Sequence, residues 1–555
     1  MQGLTGPALA NVQEALTLPY GLVRDGKVDR LWLERYIHQT DKVVQAALEP
    51  FGFYHATVMV ALELQADGKY HLGINVEPGE PVRIANITVT AQGPGSEQPL
   101  LKKLLTDFPL RMGNVLVQQS YEAAKEAIKA QAQELGYLDA EFYVHEIHVD
   151  KTAGAARITL MLETGEQYFF ADVHIEGAPQ YPADFLWRHV TFKPGEIFSY
   201  AKLGETQRNF NNADRFKEVV ITPQKKDAIA FKVPVLIQLQ AAPRQSLRPG
   251  IGYGSDTGAR FTTRYRDLNM LHKGHELFAN LYLSQRLQGL ATGYVVPSSS
   301  DVRSSTVIQL NLQKEEVSSY TSRLSALELD RNHSLGTGKL GTAYIKLQRE
   351  SFVIGQQRSH SRLVLPGLRY IQDSFNSHTR PSQGYHYAFD LRGTHQSLGS
   401  DTALLQLITE GSYLFPLPWR LSFYTRAKAG ITLLNDPLTD LPPSLRFFAG
   451  GDQSVRGYSY KSLGPRDASG QVVGGKHLLT SSVEMERALY QDWGVSIFYD
   501  IGNAFDTYTG TTMAQGAGIG VHYYTPVGAL NFSLARQIGV VNPGYHLHFT
   551  VGFEF

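Results

Sequence analysis

The string Leu445-Arg446-Phe447-Phe448-Ala449-Gly450-Gly451-Asp452-Gln453-Ser454-Val455-Arg456-Gly457-Tyr458 interrupts a region otherwise patterned as strands. Gly450-Gly451-Asp452 signals a tight turn. In Val455-Arg456-Gly457-Tyr458 a guanidinium sits beside a residue free to take any backbone angle. Taken alone, such a stretch reads first as a surface hairpin with a solvated arginine. Charges also lie inside strand-like segments: Glu484, Glu486, Arg426, Lys428 and Asp500. Enzyme chemistry has little support. Isolated Ser, His and Asp residues occur, without a nucleophile elbow, a phosphate loop or a metal-spaced cluster. His546 and His548 share one strand face but lack a third ligand, so they read as polar residues, and no metal or cofactor is expected. The absence of cysteine removes disulfides, Cys-liganded metals and thiol nucleophiles. A net charge of +0 provides no field for nucleic acid.

The elements that must position that loop are clearest at the end of the chain. Tyr545, Leu547, Phe549, Val551, Phe553 and Phe555 alternate with His546, His548, Thr550, Gly552 and Glu554. Such alternation makes a strand with one apolar and one polar face, and about eleven residues suffice to cross a bilayer when tilted. Aromatic residues make up 11% of the chain, with 51 Gly, which suits many strands and aromatic girdles. No apolar run of about 18 residues is present, so a bilayer crossing requires a closed barrel. From about Arg244 onward, segments of roughly ten residues are separated by Gly, Pro, Asn, Asp and Ser clusters. Examples are 260–266, 276–284, 306–313, 340–349, 385–393, 403–410, 421–431, 495–501, 516–524 and 529–536. This length holds about 16 strands. Charges within them should face the lumen, because a charge on the lipid face near mid-bilayer costs about 2–4 kcal/mol. Gly250-Ile251-Gly252-Tyr253-Gly254 lies near the start of the first strand. Its alternating glycines weaken strand packing, and are equally expected of a curved strand or a bulge.

The first 242 residues carry a different signal, an internal repeat with a period of about 80 residues. Helical stretches from about Asp29 and about Gln118 end at Gly52 and Gly136, where C-caps are expected. Each is followed by two strands, 57–64 and 70–77, then 141–150 and 156–163. Each second strand ends in Glu-x-Gly-Glu, at 77–80 and 163–166, before a new strand begins at 84–90 or 169–175. A looser third copy has Gly195 before its helix, as Gly26 and Gly113 stand in the others, and Ala213 where the others close on glycine. The unit is β-α-α-β-β, three times over, with the opening strand of the first copy missing. The start, Met1-Gln2-Gly3, lacks a signal-peptide pattern, which suggests a truncated or late-started N-terminus.

With three such repeats ahead of a barrel, the string 447–458 becomes specific. The chain resembles the BamA/TamA superfamily of outer-membrane assembly and secretion proteins, and within it the TamA type, over essentially its whole length. The resemblance implies periplasmic POTRA domains at 1–81, 82–168 and 169–243. These precede a 16-stranded antiparallel transmembrane β-barrel at 244–555, with an inward-folded loop around 445–470. It implies that Val455, Arg456, Gly457 and Tyr458 form the tip of the sixth extracellular loop. It further implies that Arg456 pairs with Asp500, in Tyr499-Asp500-Ile501-Gly502, and with Glu484, in Ser482-Val483-Glu484-Met485. A buried arginine must be paired or its desolvation would expel it. The implied working site is the seam between Gly250, Gly252 and Gly254 and the last strand, Tyr545 to Phe555. Location in the outer membrane of a Gram-negative bacterium follows, with contact to outer-membrane lipid. Also implied are client outer-membrane proteins of autotransporter type and a TamB-like inner-membrane-anchored partner on the POTRA domains. Two other readings are a two-partner secretion exporter of a dedicated substrate and a passive porin.

Overall fold

The structure, a computed structural model, describes residues 1–24, 27–65, 69–299, 301–377, 381–434, 436–490, 492–525 and 528–554. Gly26 and Phe555 therefore lie outside the described residues.

The first compact unit holds the repeated α+β elements. In the first copy, the helix Arg30–Leu48 starts at Asp29, whose carboxylate accepts the backbone N–H of Leu31 and Trp32. It closes through a 3-10 turn onto Gly52, at φ +87°. Strands Thr57–Leu64 and Tyr70–Glu77 pair antiparallel. The opening strand is reduced to one parallel bridge: Gln2 N–H donates to Ile74 O at 2.9 Å, and Val76 N–H donates to Gln2 O at 3.1 Å.

The second copy is complete. Its strands Arg83–Gln92, Glu141–Asp150 and Ala155–Glu163 form a sheet with the last strand in the middle. The first strand runs parallel to that central strand and the second antiparallel. Alternation along the central strand buries Ile158, Leu160 and Leu162 against Leu101, Tyr121 and Ile128 of the helices Pro99–Thr106 and Gln118–Glu134. The third copy repeats the order with Phe169–Glu176, Phe216–Pro223 and Lys232–Ala241. One expectation is corrected here. The left-handed residue after the helix Tyr200–Asn211 is Asp214, at φ +57°, and not Ala213. A short polar side chain that can hydrogen-bond locally suits that conformation.

The second unit contains a closed barrel of sixteen strands, from Gln245–Gly254 to Tyr545–Glu554, each antiparallel to the next. Among the described residues no helix is long and apolar enough to cross a membrane. The thirteenth strand, Trp493–Phe505, shows the two faces: Ser496, Phe498 and Asp500 are buried inside, while Trp493, Val495, Ile497 and Tyr499 are exposed outside. Strand length departs from the expected ten residues. The sixth, seventh and eighth strands, Tyr320–Gly336, Lys339–Ile354 and Gln357–Asp373, have 17, 16 and 17 residues. Only part of such a strand lies in lipid, so its polar ends hide its true length in the sequence.

Candidate functional site

Five neighbouring strands build the receptor for the loop tip. Cross-strand register sets Arg426, Ser482, Asp500, Gly516 and Gln537 in one row across the eleventh to fifteenth strands. The next row contains Glu484, Phe498 and Gly518. Because side chains alternate in steps of two, both rows face the lumen. The segment 436–476 between the eleventh and twelfth strands folds back onto them, and Arg456 is buried there.

Its guanidinium is almost fully engaged. Nε and Nη2 donate to Asp500 Oδ2 and Oδ1 at 2.8 and 2.9 Å. Nη1 donates to Glu484 Oε2 at 2.8 Å, and Nη2 also reaches Ser482 Oγ at 3.2 Å. The Arg456 backbone N–H donates to Asp500 Oδ2 at 2.9 Å. The Phe498 ring lies beneath, 3.3 Å from the guanidinium carbon to the ring centre. Asp500 has no exposed surface. A planar fork held on two carboxylates and one aromatic face is a geometry lysine cannot copy. The structure thus brings together Arg456, Asp500 and Glu484, as the resemblance implies. It does not support the reading of the string as a surface hairpin.

The flanking glycine is fixed from both sides. Gly457 N–H donates to His548 Nε2 at 3.1 Å, and Gln537 Nε2 donates to Gly457 O at 2.9 Å. Gly457 has φ +96°, a left-handed conformation that favours glycine. Val455 is fully buried. Gly516 makes the approach possible, since a Cβ there would lie 2.0 Å from Arg456 O. Sequence reasoning missed Gly516, Phe498 and Gln537, and it took His548 as generic lumen polarity. The one available signal was Gly516, Gly518 and Gly520 at alternate positions, which marks close approach of another backbone.

The seam is where the sequence reading needs correction. Among the described residues, the first strand pairs with the last from Gly250 opposite Glu554 to Gly254 opposite Thr550. Gly250, Gly252, Gly254, Val551 and the backbone of Phe553 are in the seam. Tyr545, Leu547 and Phe549 are not in its ladder; they pair only with the fifteenth strand, Gly528–Ile538. The strand stagger puts Gly254 opposite Thr550, and the first strand then turns into the hairpin 255–257. One bond extends the contact, from Ser255 N–H to Phe549 O at 2.9 Å. Arg260, opposite Gly252 on the second strand, reaches across the first strand and donates from Nη2 to Val551 O at 3.1 Å. Among the described residues no group of three or more His, Cys, Asp or Glu is arranged to hold a metal ion.

A closed sixteen-stranded barrel with an inward loop clamped through a buried arginine, behind β-α-α-β-β units, defines a class: membrane barrels whose lumen is occupied by their own loop. Residues 248–555, more than half of the chain, match the model described as the Omp85 superfamily domain. The chain therefore belongs to the Omp85 superfamily, and it is an outer-membrane β-barrel with periplasmic POTRA structure at its N-terminal side. Residues 1–78 match the model described as POTRA domain TamA domain 1. The outer membrane protein assembly factor BamA of Nitratidesulfovibrio vulgaris is 20% identical over 395 residues, 68% of this chain and 49% of that protein. An outer membrane assembly factor of Treponema pallidum is 23% identical over 231 residues, 40% of this chain and 27% of that protein. The chain thus spans at most about half the length of these curated relatives. Among solved structures, BamA from Haemophilus ducreyi lacking POTRA domains 1–3 has a TM-score of 0.71 at 17% identity, covering 85% of this chain and 100% of that one. CdiB from Acinetobacter baumannii has a TM-score of 0.50 at 14% identity, covering 85% and 90%. At these identities the likeness is one of fold.

Proposed function

We propose that this chain is a non-enzymatic assembly factor that inserts or translocates other outer-membrane proteins through its barrel seam. The observation that carries the reading is the short seam ladder, 250–254 against 550–554, in a barrel whose other strand pairs are more extensively joined. A closed barrel has no strand edge to offer. A seam held by few backbone bonds opens at low cost and exposes two edges, each able to accept a client strand by β-augmentation. The pinned loop supports this division of labour: it holds the twelfth and thirteenth strands as a fixed wall while the seam moves. The assembly-factor names of the matched relatives agree with this reading. The finer reading is of autotransporter-type clients and a TamB-like inner-membrane-anchored partner on the POTRA structure. Its support is the match of residues 1–78 to a TamA-type domain.

The test is a reversible lock. Tyr253 and Val551 face each other across the seam, and the chain has no cysteine of its own. With Tyr253→Cys and Val551→Cys, oxidation should abolish client assembly and reduction restore it. Full activity of the oxidised form would overturn the seam mechanism. Depletion followed by a survey of outer-membrane proteins identifies the clients. Loss of several autotransporter-type proteins supports the proposal, whereas loss of a single secreted protein indicates a dedicated exporter.

A further inference from the structure

The loop residue Asp452 touches both edges of the seam. Its backbone N–H donates to Asp256 Oδ2 at 2.7 Å, in the hairpin that follows the first strand. Its carboxylate Oδ2 accepts from Thr550 Oγ1 at 3.2 Å, on the last strand. Thr550 is the residue directly opposite Gly254. Asp452 is also held from the far wall, because Arg426 Nη2 donates to its carbonyl oxygen at 2.7 Å. Gly451 permits the approach: it has φ +104°, and a Cβ there would lie 2.6 Å from Asp256 Oδ2. Four residues on, Arg456 ties the same loop to Asp500 and Glu484.

These contacts form a closed mechanical circuit. The loop is anchored at Arg426 and Arg456, and between these anchors it bridges the two strands that must part. Once Thr550 leaves Gly254, Asp452 cannot keep both partners. The backbone bond to Asp256, at 2.7 Å, is the shorter of the two. We propose that Asp452 is a latch residue: it couples loop position to seam state, and opening releases Thr550 while the loop stays with the first hairpin. This inference rests on the seam as the moving part, but it makes a claim of its own about which contact gates it.

The experiment is hydrogen exchange on the full chain in lipid nanodiscs, with no client present. Asp452→Ala and Thr550→Val should each raise exchange at 549–554 several-fold, and the double variant should exchange no faster than either single, because all three break one contact. Asp452→Asn keeps an acceptor oxygen and should restore the parent rate. Unchanged heat-modifiability of Asp452→Ala confirms a folded barrel with its Arg456 clamp in place. Parent-like exchange in Asp452→Ala, or additive effects in the double variant, would overturn the latch. The seam reading is judged separately by the disulfide lock, so either can fail without the other.

Discussion

Two strands of this barrel carry three glycines at alternate positions, and the two sets do opposite things. On the fourteenth strand, Ala514–Thr525, the space inside Gly516, Gly518 and Gly520 is filled by Arg456 O, by the Phe498 ring, and by Ser496 and His522. On the first strand, the nearest atom to a Cβ at Gly254 would be Thr257 Oγ1, 3.2 Å away on a rotatable side chain and not on the loop tip. Arg260, opposite Gly252, reaches past this strand to Val551 O. One triplet admits a ligand made from the protein's own loop. The other leaves a strand whose edge is joined to its neighbour over five of the described residues, against all sixteen of Lys339–Ile354 in the seventh strand's pairing with the eighth. The same sequence signature thus marks the most tightly filled part of the lumen and the least tightly closed part of the wall. What separates them is the chemistry supplied from elsewhere in the chain.

The largest effect should come from removing the filler. Arg456→Ala leaves Asp500 and Glu484 buried without their cation, and breaking a buried pair on one side costs about 3–5 kcal/mol. The heat-modifiability transition should fall markedly and assembly activity with it. A parent-like transition together with parent-like assembly would break the comparison at its stronger end. Gly516→Ala comes next. Its Cβ would meet backbone at 2.0 Å, so the loop tip has to move, and overpacking of this kind costs about 1–3 kcal/mol. Gly254→Ala is the control on the other triplet: its closest neighbour, Thr257 Oγ1, lies 3.2 Å away on a rotatable side chain, and the thermal transition should stay near the parent value. Equal losses in both variants would erase the distinction between the triplets.

A smaller, local effect is expected at Arg260. Its bond to Val551 O is a charge-assisted staple across the seam, a class worth about 1.5–3 kcal/mol at most and less where water competes. Arg260→Ala should speed exchange of 550–554 several-fold while leaving the thermal transition of the barrel unchanged. A shift in the transition without faster exchange would place the role of Arg260 in the wall and not in the seam.

How much of this was legible follows from what each feature depends on. The barrel and the repeats are written in local period and punctuation: Tyr545 and Leu547 are exposed and His548 is buried, as their alternation in the sequence requires, and Gly52 and Gly136 close their helices with positive φ. The clamp was legible only in part. Asp500 and Glu484 can be placed inside by alternation, but nothing local pairs them with a residue 44 or 28 positions away. Phe498 and Gly516 were missed for the same reason, since their roles exist only once neighbouring strands are in register. The seam was misjudged because the offset of the first strand against the last is a property of the whole barrel, set by strand tilt and stagger on closure. No inspection of Tyr545, Leu547 and Phe549 alone reveals that the first strand has already turned away.

The weakest expected effect concerns how firmly the loop sits on the seam as acidity changes. Burial pushes the Asp256 carboxyl up to about 6, countered by the Asp452 N–H and by Arg286, with the Asp452 carboxylate adding to the rise. An ordinary aspartate titrates near 3.9. The seated hairpin therefore binds its proton more tightly than the released one. Its extra stability is fully present below about pH 4 and is lost as pH rises through about 6. A spin label at Gln453→Cys should become less mobile when pH is lowered from 7.5 to 5. Asp256→Asn removes the titrating group but keeps an acceptor for the Asp452 N–H, so the label should be held at both pH values alike. If the variant retained the parent's pH dependence, Asp256 would not be the group responsible. The clamp at Arg456, with no part in that titration, should stay closed throughout, and a loop that loosened at both ends together would show that the two glycine-lined regions act as one.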